Sequence, residues 1–170
     1  MRVVWFTALI ALGYAITLPA VADSITVSSP AFTSGKPMPA KFSNKGQNLS
    51  PELRVANLPA KAKSLVLIVD DPDSPSGLWT HWLVWNLPLT PVIHEGKVPS
   101  CAVQGKNSFG NDHYDGPVPP SGTHRYFFRV YALDAMLVLP AGASREELDA
   151  AMHDHVVETG ETFGTYSATP

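Results

Sequence analysis

A mainly β domain with one late helix is the fold the sequence predicts, and three observations carry that reading. Sixteen prolines and twelve glycines are spread along 170 residues rather than gathered in one tract. They cut the chain into many short segments, as turn-forming residues do between strands. Several of those segments are β-branched and apolar, whereas one near the end has helix-start chemistry.

Taken in order, Ile25-Thr26-Val27-Ser28-Ser29 alternates like a strand and Pro30 ends it. Lys41-Phe42-Ser43 reads as a further short strand before a turn at Lys45-Gly46. Ser64-Leu65-Val66-Leu67-Ile68-Val69 is apolar on both faces, which predicts a central strand covered on both sides. His81 to Leu87 reads the same way. In the longest strand candidate, Arg125 to Leu133, Arg125, Phe127, Arg129 and Tyr131 share one face, and Tyr126, Phe128, Val130 and Ala132 the other. The helix is marked by a capping box, Ser144 with Glu147, followed by Leu148, Ala151, Met152 and His155 at helical spacing. Gly160 is its expected stop. Many strands followed by one helix predict a β-rich domain with the helix packed at one end.

The first 22 residues read as a targeting segment. Met1-Arg2 is a short basic start, Val3 to Leu18 is almost wholly apolar, and Ala20-Val21-Ala22 offers a small-x-small cleavage pattern. Cleavage after Ala22 is expected, leaving a single domain at residues 23–170. The competing reading, an uncleaved anchor, is disfavoured because the stretch is short for a bilayer crossing. Losing Arg2 takes the formal charge from −3 to −4. Such a chain has no basic field to attract nucleic acid or an anionic membrane, so any phosphate must be recognised locally, by a pocket. Cys101 is the one cysteine and allows no internal disulfide; with no neighbouring cation to lower its pKa, it is expected to be a buried or partly buried structural thiol.

Two clusters carry the candidate chemistry. In Asp70-Asp71-Pro72-Asp73-Ser74-Pro75, the prolines stiffen a turn that can hold a carboxylate in place. Taken alone this is better explained as a solvated surface turn. His81 then follows between Trp79 and Trp82, and a neutral imidazole can donate to a phosphate or carboxylate oxygen. In Tyr114-Asp115-Gly116-Pro117-Val118-Pro119-Pro120-Ser121-Gly122-Thr123-His124-Arg125-Tyr126, glycine permits close backbone approach and proline reduces the entropy lost in ordering a pocket wall. Asp112, His113 and Asp115 read most simply as a solvated polar loop. Rival chemistries fit poorly. A calcium loop beginning at Asp71 would have Pro75 and Trp82 at ligand positions. Zinc-site HExxH and CxxC patterns are absent from the sequence, as is the GxSxG elbow of a serine hydrolase.

Together the two clusters resemble the signature of the phosphatidylethanolamine-binding protein family, in its bacterial, Raf-kinase-inhibitor-like branch. The resemblance extends to Gly46-Gln47-Asn48-Leu49-Ser50-Pro51, Leu83-Val84-Trp85-Asn86-Leu87-Pro88, Phe127 to Asp134 and Gly164-Thr165-Tyr166. It implies an antiparallel β-sandwich of two sheets with a small pocket for phosphate, acetate or a phospholipid head group. The residues matching that pocket are Asp71, Asp73, Pro75, His81, Gly116, Pro119, Pro120, His124 and Tyr126, with Tyr114 and Asp70 in second place. On the same grounds His81 and loop N–H groups near Gly116 would face the phosphate, and Asp71 an ammonium group or a protonated partner. The chain departs from the family pattern at Leu53-Arg54-Val55, where relatives often carry Trp, and at Val118, where many bacterial relatives carry Cys.

The expectation is therefore a secreted or periplasmic binding protein for a small phosphorylated or carboxylated ligand. No enzyme activity, cofactor, metal, nucleic acid or stable membrane insertion is expected, and the resemblance implies a homodimer. Two other classes stay open: an inhibitor gripping a partner enzyme through the pocket rim, and a hydrolase using Asp71 and His81 as acid and base.

Overall fold

The computed structural model describes residues 24–168, so the predicted targeting segment and its cleavage point lie outside the described residues. The strands in them are β1 (Thr26–Ser28), β2 (Leu53–Ala56), β3 (Ser64–Asp71), β4 (Trp79–Leu87), β5 (Val92–Ile93), β6 (Val103–Gln104), β7 (Thr123–Leu133) and β8 (Val156–Ser167). One helix, α1 (Arg145–Met152), precedes β8. Two antiparallel sheets result, ordered β1-β2-β5 and β6-β4-β3-β7-β8.

β3 is buried at every position and lies at the centre of the larger sheet, between β4 and β7. Its side chains serve two cores. Leu65, Leu67 and Val69 join Val27, Leu53, Val55 and Ile93 between the sheets. Val66 and Ile68 face the other way, onto Leu83, Trp85, Leu148 and Met152 beneath α1. Each fully buried aliphatic side chain of this kind contributes roughly 1.5–3 kcal/mol, which is why an unbroken apolar run is stable only with both faces covered. β7 shows the predicted alternation: Tyr126, Phe128, Val130 and Ala132 are buried, and the arginine-bearing face is more open.

The capping box forms as read, with the Ser144 hydroxyl accepting from the Glu147 N–H and the Glu147 carboxylate accepting from the Ser144 N–H. Three local expectations are corrected. Residues 40–42 make a single 3₁₀ turn rather than a strand, closed by the Ser43 N–H and hydroxyl on the Ala40 carbonyl. The helix stops at Met152 and passes through a 3₁₀ turn, His153–His155, so that Gly160 falls within β8. Gly160 answers to a strand crossing instead: a Cβ there would sit 2.3 Å from the Ile25 carbonyl oxygen. Cys101 is exposed, because it lies in a turn before the two-residue edge strand β6, where little covers it. Among the described residues no helix is long and apolar enough to cross a membrane.

Gly160→Val should destabilise the fold by at least the roughly 1–3 kcal/mol that overpacking costs, read as a lower chemical-denaturation midpoint, because the obstacle is backbone and cannot rotate away.

Candidate functional site

Two registers aim the site. β3 ends with Asp70 and Asp71 on opposite faces. Asp70, completely buried, accepts from the Thr80 hydroxyl at 2.9 Å and from the guanidinium groups of Arg129 at 3.1 Å and Arg145 at 2.8 Å. Asp71 points to the other side, where its carboxylate meets His124 Nδ1 at 2.7 Å and accepts the Asp73 N–H at 2.8 Å. In β4, Trp82 stands opposite Val69 but Thr80 stands opposite Asp70, which makes His81 the extra residue of a β-bulge. Strict alternation would place His81 with Leu83 and Trp85 beneath the helix. The bulge turns the ring instead toward the Asp71 side, edge-on to Tyr126 with ring centroids 5.2 Å apart and to Phe109 at 5.3 Å.

His81 is held there by the loop before β7. Its Nδ1–H donates to the Asp115 carbonyl at 2.5 Å, and the Asp115 N–H donates back to the His81 carbonyl at 3.2 Å. With Nδ1 carrying the proton, Nε2 is left as the second polar atom of the ring. Burial pushes the ring below its ordinary pKa, more strongly than the Asp115 carbonyl and the Asp71 charge pull it up, so it is neutral at pH 7.

The Asp115 side chain is buried, which corrects the expectation of a solvated loop; Asp112 and His113 are exposed. Side-chain amides of Asn107 at 2.8 Å, Asn111 at 2.9 Å, Asn44 at 3.1 Å and Asn48 at 3.3 Å all donate to it. Burial alone would raise this carboxyl, but the amides of Asn111, Asn107 and Asn48 outweigh it and hold the group below the ordinary carboxylate range. Asn48 adopts a left-handed backbone (φ 54°), which asparagine tolerates better than most residues, and its Oδ1 accepts the Gly116 N–H at 2.8 Å.

A cavity of about 170 Å³ opens between these parts. Of the residues singled out from sequence, Asp71, Pro75, His81, Pro120 and Tyr126 line it. Four others stand elsewhere. His124 lies behind Asp71 as its partner. Asp73 is tied to Arg125, whose Nε and Nη2 donate to it at 2.9 and 2.7 Å; those hydrogen bonds outweigh the opposing effect of burial and lower its pKa to about 2. Pro119 faces a separate small recess with Lys45 and Tyr166. Gly116 is packed on the chain itself, since a Cβ there would fall 2.0 Å from the Phe42 carbonyl oxygen, and its N–H is already bonded to Asn48. Of the second-place candidates, Tyr114 donates to the Phe42 carbonyl and Asp70 serves the opposite face.

The lining also contains Ser74, Ser76, Trp79, Phe109 and Val118, which the sequence reading did not select. Phe109 comes from a loop fastened to β4 by two bonds between Ser108 and Thr80, a link no local pattern announces. Val118, a departure from the family pattern, is itself part of the wall and keeps it apolar. The Tyr126 hydroxyl is buried close to the Asp71 carboxylate and the Val118 backbone, yet makes no hydrogen bond of good geometry with either. Burial, then the Asp71 charge, raises its pKa, so the phenol keeps its proton. No cluster of three or more His, Cys, Asp or Glu side chains suited to a metal ion occurs among the described residues.

A family model described as phosphatidylethanolamine-binding protein matches residues 28–167. The chain belongs to that family. Its relatives include a UPF0098 protein of Chlamydia trachomatis, 45% identical across 82% of this chain and 97% of the relative, and one of Pyrococcus horikoshii, 45% identical across 84% and 76%. Among solved structures, a Chlamydia trachomatis homologue of phosphatidylethanolamine-binding proteins superposes with a TM-score of 0.82 at 43% identity, covering 86% of this chain and 99% of that one. YbcL of Escherichia coli, described as a new member of the mammalian family, gives 0.81 at 27% identity, covering 86% and 100%.

Asp115→Ala leaves the amides without their acceptor and should cost roughly 1–3 kcal/mol by urea denaturation, whereas exposed Asp112→Ala should cost almost nothing. Asp73 has a folded pKa below its unfolded value of about 3.9, so its contribution is complete above that value and fades as pH falls toward about 2. Asp73→Asn should therefore flatten the acid limb of a stability–pH curve in that window and leave its shape near neutrality unchanged.

Proposed function

We propose that this protein is an exported binding module that takes small phosphorylated or carboxylated ligands into the cavity between Asp71, His81 and Tyr126. The observation that carries the reading is a convergence: the His81 ring, fixed by Asp115, and the Asp71 carboxylate both line one small, mostly apolar space that Tyr126 helps to close. A small, mostly apolar recess with a few fixed polar side chains is the ordinary form of a ligand site. Size narrows the class. A cavity of about 170 Å³ has room for a phosphate or a small head group. The family name adds phosphoethanolamine to the ligands worth testing. Asp71 supports the same choice, since a carboxylate in the wall favours a ligand that also carries an ammonium group. Export rests on the sequence pattern of residues 1–22 alone.

Calorimetric titration of the purified protein with phosphate, phosphoethanolamine and acetate tests the reading. Saturable binding is expected, with phosphoethanolamine preferred over phosphate, and His81→Ala should weaken it by about 1–3 kcal/mol. Unchanged affinity in a folded His81→Ala variant would remove His81 as a contact. Failure of all three ligands to bind the folded protein would contradict the proposal.

A further inference from the structure

The ligand class proposed above conflicts with the wall that would receive it. Asp71 presents a carboxylate, and neither lysine nor arginine lines the cavity. Arg125, on the strand beside it, is engaged by Asp73 through two guanidinium bonds. His81 has given its one N–H to the Asp115 carbonyl, so its free nitrogen, Nε2, offers a lone pair. A bare anion would meet an acceptor at His81 and a negative charge at Asp71.

Resting on that reading, we propose that the site binds its anion together with one proton, held between a ligand oxygen and His81 Nε2. The cavity thus selects acids in their hydrogen-bearing form: phosphate monoesters as monoanions, and carboxylates with a proton taken up on binding. Proton balance follows from the ligand. A monoanionic phosphate brings the proton with it. A dianion, or acetate near neutrality, draws one from the solvent, which ends on Nε2 while Nδ1 keeps its own.

The charges around His81 favour this arrangement. Asp70 and Asp71 approach from β3, Asp115 and Tyr114 from the loop, and His124 and Tyr126 from β7. Asp70 is matched by Arg129 and Arg145, Asp73 by Arg125, and His113 Nε2 lies 3.8 Å from Asp115. Tyr126 and Tyr114 stay protonated, since burial raises both. The second imidazole near the site is His124, engaged by Asp71 through Nδ1.

Calorimetry with acetate, between about pH 6 and pH 8 in two buffers of different ionisation enthalpy, counts the protons directly. About one proton should be taken up per acetate near pH 7.5, with affinity falling about tenfold per pH unit. His81→Gln, which keeps hydrogen-bonding capacity but cannot titrate, should lose that slope, and His124→Asn should retain it. Binding without proton uptake overturns this inference and leaves the anion site standing. A slope that survives His81→Gln also overturns it. No binding of acetate or inorganic phosphate by the folded protein at about pH 6 overturns both the inference and the function it rests on.

Discussion

One extra residue in β4 decides what this fold can do. Without the bulge at His81, the period-two pattern that buries Leu83 and Trp85 under the helix would carry the imidazole with them. With it, the ring reaches the inter-sheet side at the end of the strand, where Asp71 and Tyr126 already point. A bulge needs something to keep the displaced residue in place. That anchor is the pair of backbone bonds exchanged with Asp115, one from the ring and one to the main chain. Asp115 can serve as an anchor because its own carboxylate is held by amides from two loops, Asn44 and Asn48 on one side and Asn107 and Asn111 on the other. The position of one imidazole thus depends on three segments distant in sequence.

The adjacent acids Asp70 and Asp71 show how one strand separates structure from function. Strand geometry sends them to opposite faces. Asp70 accepts two guanidinium groups in a region closed to water, where losing one partner would leave a charge uncompensated. Asp71 has a single imidazole partner and keeps an edge on the cavity. The first fastens β7 and α1 onto β3, and the second is free to answer a ligand.

Much of this architecture was legible from pattern alone. The unbroken apolar run of β3, the alternation of β7 and the capping box of α1 each follow from local chemistry, and each forms as read. The extent of the helix was less so, because Gly160, a plausible helix stop in one dimension, is required by the Ile25 backbone crossing β8. In the site, Asp71, Pro75, His81, Pro120 and Tyr126, named by the family resemblance, line one cavity, whereas Asp73, Gly116, Pro119 and His124 do not. Gly116 was ambiguous for a physical reason: glycine signals close approach without naming the partner, which is the Phe42 carbonyl rather than a ligand. Asp115 reads as solvated because two of the amides that hold it, from Asn44 and Asn48, come from elsewhere in the chain. The Asn107-to-Asn111 run just before it was the available signal. Phe109 and the face chosen by His81 had no such signal, since loop docking and bulges leave no periodicity to read.

The chemistry of the site turns on which nitrogen of His81 is free and whether a ligand finds it. Proton–nitrogen correlation NMR of the imidazole, recorded near neutral pH with and without phosphate, addresses both points. A neutral ring protonated at Nδ1 is expected in the free protein, with saturable perturbation centred on Nε2 as phosphate is added. A ring protonated at Nε2 in the free state, or His81 resonances indifferent to phosphate in a folded protein, would contradict that expectation.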